Sequence, residues 1–185
     1  TDLYNPDVNV KNIREELGFS DKDVIVLFIA RFTYQKDPLT FINAVKIVLD
    51  KIPEAKFLMI GEGDLRKDSA DLSRTLNVYD KIKFLPFRQD VKNILYSSDI
   101  FVLPSIWEVV PLALLEAMAM KKACIATNIK GTNEALKDGF NGYLFGPGNF
   151  VELADKIISL ISDVNQRKKF GEEARNTVVR QFDLK

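Results

Sequence analysis

Histidine is absent from the 185 residues. That removes the commonest general base, the commonest metal ligand and every Ser-His or Cys-His nucleophile arrangement. Cysteine occurs once, as Cys124 in an apolar run. The chain therefore has no disulfide framework and no thiolate metal cluster; a reduced, cytoplasmic setting is expected, with Cys124 in the core. Long apolar runs are also missing, since charged residues interrupt each one well short of the ~18 to 20 residues a membrane span needs. Neither sign of charge dominates: 26 Lys and Arg balance 26 Asp and Glu, so nucleic acid is not an expected partner and any cationic site must be local. An initiator methionine and a signal-like segment are absent as well, and the last residues follow an amphipathic helix. The chain is expected to be a piece of a larger protein.

What is present is an ordinary globular balance, 46% hydrophobic and 28% charged, at a length suited to one domain. Residues 1 to about 20 read as a lead-in segment. "VIVLFIA" (24–30) is continuously apolar and rich in β-branched residues, as in a strand buried on both faces. "PLTFINAVKIVLDKI" then supplies a helix, with Asp37 as its cap, Pro38 at its start and Phe41, Ala44, Val45 and Val48 on one face. The alternation continues: strands in "KFLMIGEGD", "KIKFLP", "DIFVLPS", "ACIAT" and "NGYLF", with helices in "LRKDSADLSRTLNV", "QDVKNILYSS" and the segment after Pro111. Two helices close the chain, the first with Leu153, Ile157, Leu160 and Ile161 toward the core. Strands separated by helices imply βαβ crossovers, hence an α/β, Rossmann-like parallel sheet with helices on both faces. Ligands of such sheets bind beyond the carboxyl ends of the strands.

Several short patterns bear on chemistry. "GEGDLR" (61–66) fails as a dinucleotide fingerprint, because Arg66 stands where the third glycine is needed. "DKD" (21–23) resembles a metal-holding Asp-x-Asp but precedes the first strand, at the wrong edge of the sheet, and reads as a solvated turn. Arg31 and Lys36, in "ARFTYQKDP", leave the first strand ahead of a helix N-terminus. Two cations there suit a phosphate or diphosphate, and equally fit ordinary surface charges. In "SIWEVVPLALLEAMAM" (105–120), Pro111 is expected as the first helical residue, with Glu108 before the helix and Glu116 inside it. The same-face neighbours of Glu116 are Leu112, Ala113, Ala119 and Met120, all apolar. An ionised carboxylate there costs several kcal/mol unless it meets a donor in the fold or opens onto a ligand.

These pieces, with "IKFLPF", "GTNEALKDGFNGYLFGPGN" and the closing helix, resemble in order the glycosyltransferase group 1 family. Its members are retaining GT-B enzymes that transfer a sugar from a nucleotide donor. The likeness runs from about Asn5 to Phe182, and the paired glutamates within Ser-x-x-Glu and Leu-Glu-Ala-Met-Ala frames are its most specific part. It implies that Arg31 and Lys36 bind the donor diphosphate, that Glu108 lies by the donor sugar and that Glu116 holds the ribose hydroxyls. Backbone near Phe87 and Arg88 would meet the base, amides near Val110 and Leu112 the phosphates, and Glu134 would lie close by or cap a helix.

It further implies that this chain is the donor-binding C-terminal domain, without the N-terminal acceptor domain that should be its partner. The nucleotide-sugar is a substrate, and neither cofactor nor metal is expected. Peripheral membrane contact is left open to the full-length protein. The sequence departs from the family at Ala30, Val109 and Pro111, where glycine is usual, and at Lys121 and Lys122, which read as a surface turn. Pro111 offers no amide hydrogen to an anion. A related epimerase, or a domain that binds nucleotides without turnover, is the alternative.

Overall fold

Each of the apolar runs becomes a strand: β1 (Ile25–Ile29), β2 (Lys56–Ile60), β3 (Ile82–Leu85), β4 (Ile100–Leu103), β5 (Ala123–Thr127) and β6 (Tyr143–Phe145). The computed structural model describes residues 4–182, so the first three residues of the lead-in segment lie outside the described residues. All neighbouring strands are parallel, in the order β3-β2-β1-β4-β5-β6. Every residue of β4 and β5 is buried, the condition under which a strand carries no polar alternation. The helices are α1 (Pro38–Lys51), α2 (Arg66–Thr75), α3 (Val91–Ser97), α4 (Leu112–Ala119), α5 (Thr132–Ala135), α6 (Phe150–Ser162) and α7 (Val164–Gln181). None of the described helices is long and apolar enough to cross a membrane.

The two faces of the sheet make two cores. Val26 and Phe28 of β1 point to one, with Phe41, Val45, Leu153 and Ile157 of α1 and α6. Ile25 and Leu27 point to the other, with Leu114 and Met118 of α4 and Ala174 of α7. Leu153, Ile157 and Leu160 are fully buried, as their spacing predicts, while Ile161 packs at the margin. The chain winds outward from β1 to β3, then returns to the opposite side of β1 to add β4, β5 and β6. The carboxyl ends of β1 and β4 therefore flank the point where winding reverses, the place where open sheets of this kind take their ligands.

Local chemistry fixes how those loops leave. Asp37 caps α1 by accepting from Thr40 N at 3.1 Å. The glycines of "GEGD" are steric necessities: a Cβ on Gly61 would lie 2.0 Å from the Ala30 carbonyl oxygen, and one on Gly63 2.4 Å from that of Phe32. Both have positive φ, so the turn after β2 crosses directly against the loop after β1. Arg66, in place of a third glycine, lies over the rings of Phe32 and Phe84 at 5.1 and 4.7 Å.

Two expectations need correction. Pro111 is not the first helical residue of α4 but the residue before it, at φ −79° and ψ 70°. Its carbonyl accepts from Leu114 and Leu115. Lys121 and Lys122 do form a turn, Lys121 at a left-handed φ of 58°, but Lys122 is no loose surface cation. Its Nζ donates to the carbonyls of Tyr96 and Ser98 at 3.0 and 2.9 Å, and burial pushes its pKa down to about 8.

Candidate functional site

The loops leaving β1 and β4 are joined to each other. Lys36 ends a short 3-10 turn (Tyr34–Lys36), and its Nζ donates to Glu108 Oε1 at 2.5 Å. The buried Ser105 hydroxyl donates to the same oxygen at 2.6 Å. Only 4% of the Glu108 side chain and 22% of the Lys36 side chain are exposed, so this is a largely desolvated ion pair. Main-chain contacts brace it: Ile106 N donates to Gln35 O at 2.8 Å, and Gln35 Nε2 donates to Trp107 O at 3.0 Å. The Tyr34 and Trp107 rings lie 6.0 Å apart beside it. Among the described residues the donors to Glu108 converge on Oε1, which leaves Oε2 able to accept from a ligand hydroxyl.

Arg31 lies earlier in the same loop, exposed, and lines a cavity of about 600 Å³ with Thr33, Gly61, Glu62, Phe87 and Arg88. Phe87 is 68% exposed at this cavity. Arg88 is held from behind: its Nε and Nη2 reach the two Asp90 oxygens at 2.8 and 2.7 Å, and Nη2 also reaches Glu16 at 2.8 Å. Those contacts keep Arg88 firmly protonated and hold the Asp90 carboxyl below its ordinary range. The structure thus brings Arg31, Phe87 and Arg88 to one concavity, with the Lys36–Glu108 pair on the neighbouring loops.

Glu116 lies on α4, half-buried, and its helix opens to solvent toward its start, where Leu112 is 64% exposed. Burial raises the Glu116 pKa, and the side chain of Tyr4, in the lead-in segment, opposes that rise. Burial and the Glu116 carboxylate push the Tyr4 phenol up to about 12. Val110 is 59% exposed. The Leu112 amide is donated to Val110 O at 2.9 Å, so the turn itself already uses it. Glu134 is exposed in the first turn of the four-residue α5. Just ahead of it, a Cβ on Gly131 would lie 3.0 Å from the Glu108 carbonyl oxygen, which places the start of α5 against the Glu108 loop.

The Asp-x-Asp pattern lies elsewhere. Asp23 Oδ2 accepts from Ser20 N at 2.7 Å in a turn before β1, at the end of the sheet opposite the crevice. Among the described residues no three Cys, Asp or Glu side chains gather in one place.

Two residues and one contact were not nominated from the sequence. Ser105 carries a readable signal, the Ser-x-x-Glu spacing. The Lys36–Glu108 pairing joins residues 72 apart and follows only from the sheet order. Tyr4, 112 residues from the Glu116 whose pKa it lowers, is marked by nothing local.

Comparison with known proteins places this geometry. The family described as glycosyl transferases group 1 matches residues 9–177. The chain belongs to that family. It is 31% identical over 185 residues to the UDP-Gal:alpha-D-GlcNAc-diphosphoundecaprenol alpha-1,3-galactosyltransferase of Escherichia coli, covering 98% of this chain and 48% of that protein. The C-terminal domain of the glycosyl transferase group 1 family protein LpcC from Francisella tularensis superposes with a TM-score of 0.87 at 28% identity, over 100% of this chain and 98% of that one. TarM of S. aureus, crystallised with UDP among its ligands, gives a TM-score of 0.84 at 26% identity over 87% of this chain and 33% of its own. The chain spans about half the length of the curated relatives it matches.

Proposed function

We propose that this chain is the donor-binding domain of a retaining glycosyltransferase, and that the whole protein transfers a sugar from a nucleotide-sugar to an acceptor. The observation that carries the proposal is the buried Lys36–Glu108 pair, which joins the loops after β1 and β4 at the same sheet edge as an Arg31-lined cavity beyond the carboxyl ends of β1, β2 and β3. The UDP bound by TarM and the UDP-Gal in the name of the Escherichia coli relative support a nucleotide-sugar as the donor class.

In this reading the nucleotide lies along the cavity, its base near Phe87 and its ribose toward Glu116. Glu108 accepts from a hydroxyl of the donor sugar through Oε2. The bond from anomeric carbon to phosphate oxygen breaks, the acceptor oxygen bonds to that carbon, and the acceptor proton passes to a phosphate oxygen of the leaving diphosphate. The leaving group gains charge, and fixed cations aimed at developing charge are worth most in a site prepared in advance. Arg31 and Lys36 fill that role, while Glu108 and its Ser105 contact hold Lys36 in place. Positioning and charge stabilisation are then the protein's whole share of the chemistry.

A thermal-shift screen of nucleotide-sugars against the purified chain, with a transfer assay alongside, tests this. The chain is expected to be stabilised by one class of nucleotide-sugar and to transfer nothing without the rest of the protein. Sugar transfer by the isolated chain, or no stabilisation by any nucleotide-sugar, would contradict it.

A further inference from the structure

We propose that the Arg88 side chain determines base specificity in the donor site, favouring a base with a carbonyl oxygen, such as uracil or guanine, over its amino-bearing counterpart; this inference rests on the donor-domain reading above. A guanidinium has five N–H donors in one plane and no acceptor. Three of the five on Arg88 are committed: Nε and Nη2 donate to the two Asp90 oxygens at 2.8 and 2.7 Å, and Nη2 donates also to Glu16 Oε1 at 2.8 Å. Among the described residues no acceptor is bonded to Nη1. Two donors are therefore what this side chain has left to offer the cavity that it lines. Its orientation is held from two elements, by Asp90 at the start of α3 and by Glu16 in the lead-in segment.

Charge assigns this end of the cavity to the base rather than to the phosphates. Arg88 is paired with two carboxylates, so the cluster carries no surplus positive charge and an incoming phosphate would meet their repulsion. A neutral carbonyl oxygen meets only the remaining N–H groups. Arg31 lines the same cavity, exposed and in no ion pair among the described residues, and so suits the phosphates. Because β2 lies between β1 and β3, the strand ends that lead to Arg31 and Arg88 stand about 10 Å apart, a separation that a nucleoside diphosphate can span. Uracil presents a carbonyl oxygen where cytosine has an amino group, and guanine does so where adenine has one. An amino group there would turn hydrogens toward hydrogens and leave both sides unpaired, the condition under which polar sites reject an analogue most strongly.

The test is calorimetry of the purified chain with UDP, CDP, GDP and ADP, and with pyrophosphate as the ligand that has no base. Wild type is expected to bind UDP over CDP, or GDP over ADP, by roughly tenfold, as one hydrogen bond from a charged group supplies. Which of the two pairs binds tells a pyrimidine site from a purine site. Arg88→Met should weaken the preferred diphosphate roughly tenfold, while its amino counterpart and pyrophosphate stay within about twofold, so that the ratio falls toward one. Arg88→Lys keeps a cation for Asp90 and Glu16 but loses the planar fork, and should lose the ratio as well; it carries the test if Arg88→Met does not melt cooperatively. A wild type that binds both members of each pair alike, a loss in Arg88→Met shared equally by pyrophosphate, or a ratio that survives either substitution would overturn the role of Arg88 alone. Failure of wild type to bind any of the four nucleoside diphosphates would overturn the domain reading with it.

Discussion

At Lys36 one substitution acts on two free energies. Lys36→Ala removes a cation from the crevice and also leaves Glu108 buried without its counter-charge, which typically costs about 3–5 kcal/mol. A urea melt of the purified chain should show a loss of that order, and Lys36→Met with Glu108→Gln should recover most of it. Equal stability of Lys36→Ala and wild type would mean that the pair is solvated. Arg31, exposed and without such an ion pair among the described residues, gives the cleaner functional readout. Glu116 separates stability from function by pH. Its folded pKa lies above the ordinary carboxylate value, so the folded chain keeps that proton longer than the unfolded one. The penalty is absent at low pH, where both states are protonated, and grows as pH rises through the folded pKa. Glu116→Gln should therefore gain stability over wild type more at pH 7 than at pH 4, while binding nucleoside diphosphate less well. An advantage that is flat across that range would show the carboxylate to be freely hydrated.

Among the elements, α7 contains the sharpest conflict between propensity and packing. Gly171 lies inside the helix, where alanine ordinarily gains about 0.5–1 kcal/mol. A Cβ there would lie 2.2 Å from the Lys121 carbonyl oxygen and 2.9 Å from its carbon, in the left-handed turn that follows α4. Gly171→Ala should thus destabilise the chain by about 1–3 kcal/mol, the usual cost of overpacking, with a sign opposite to the propensity scale. Thermal or denaturant unfolding checks it, and a stabilised variant would mean that α7 does not lie so close to that turn. Within elements the forces are local, and between elements they are not. The strand runs and the Asp37–Pro38 start of α1 were legible because burial on both faces and helix capping act on neighbouring residues. The place of Pro111 was misjudged by one position because proline suits the last residue before a helix as well as the first. Lys122 was misjudged because its acceptors, Tyr96 and Ser98, are brought to it only by the packing of α3 against the turn.

For the whole molecule, sheet order decides what becomes a site. Because winding reverses between β1 and β4, loops 72 residues apart in sequence meet, and Lys36 finds Glu108. Arg31, Lys36, Glu108 and Glu116 could be nominated from the sequence, through their setting and the family resemblance. The contact between Lys36 and Glu108 depends on long-range packing that no local pattern encodes. In the proposed function, cations at this sheet edge hold a nucleoside diphosphate. Calorimetry of the purified chain in excess chelator, with matched nucleoside mono- and diphosphates and with Arg31→Ala beside wild type, tests it most directly. Diphosphate is expected to bind in chelator, and Arg31→Ala is expected to lose more diphosphate than monophosphate affinity. Binding that requires added manganese, or that Arg31→Ala leaves unchanged, would contradict it.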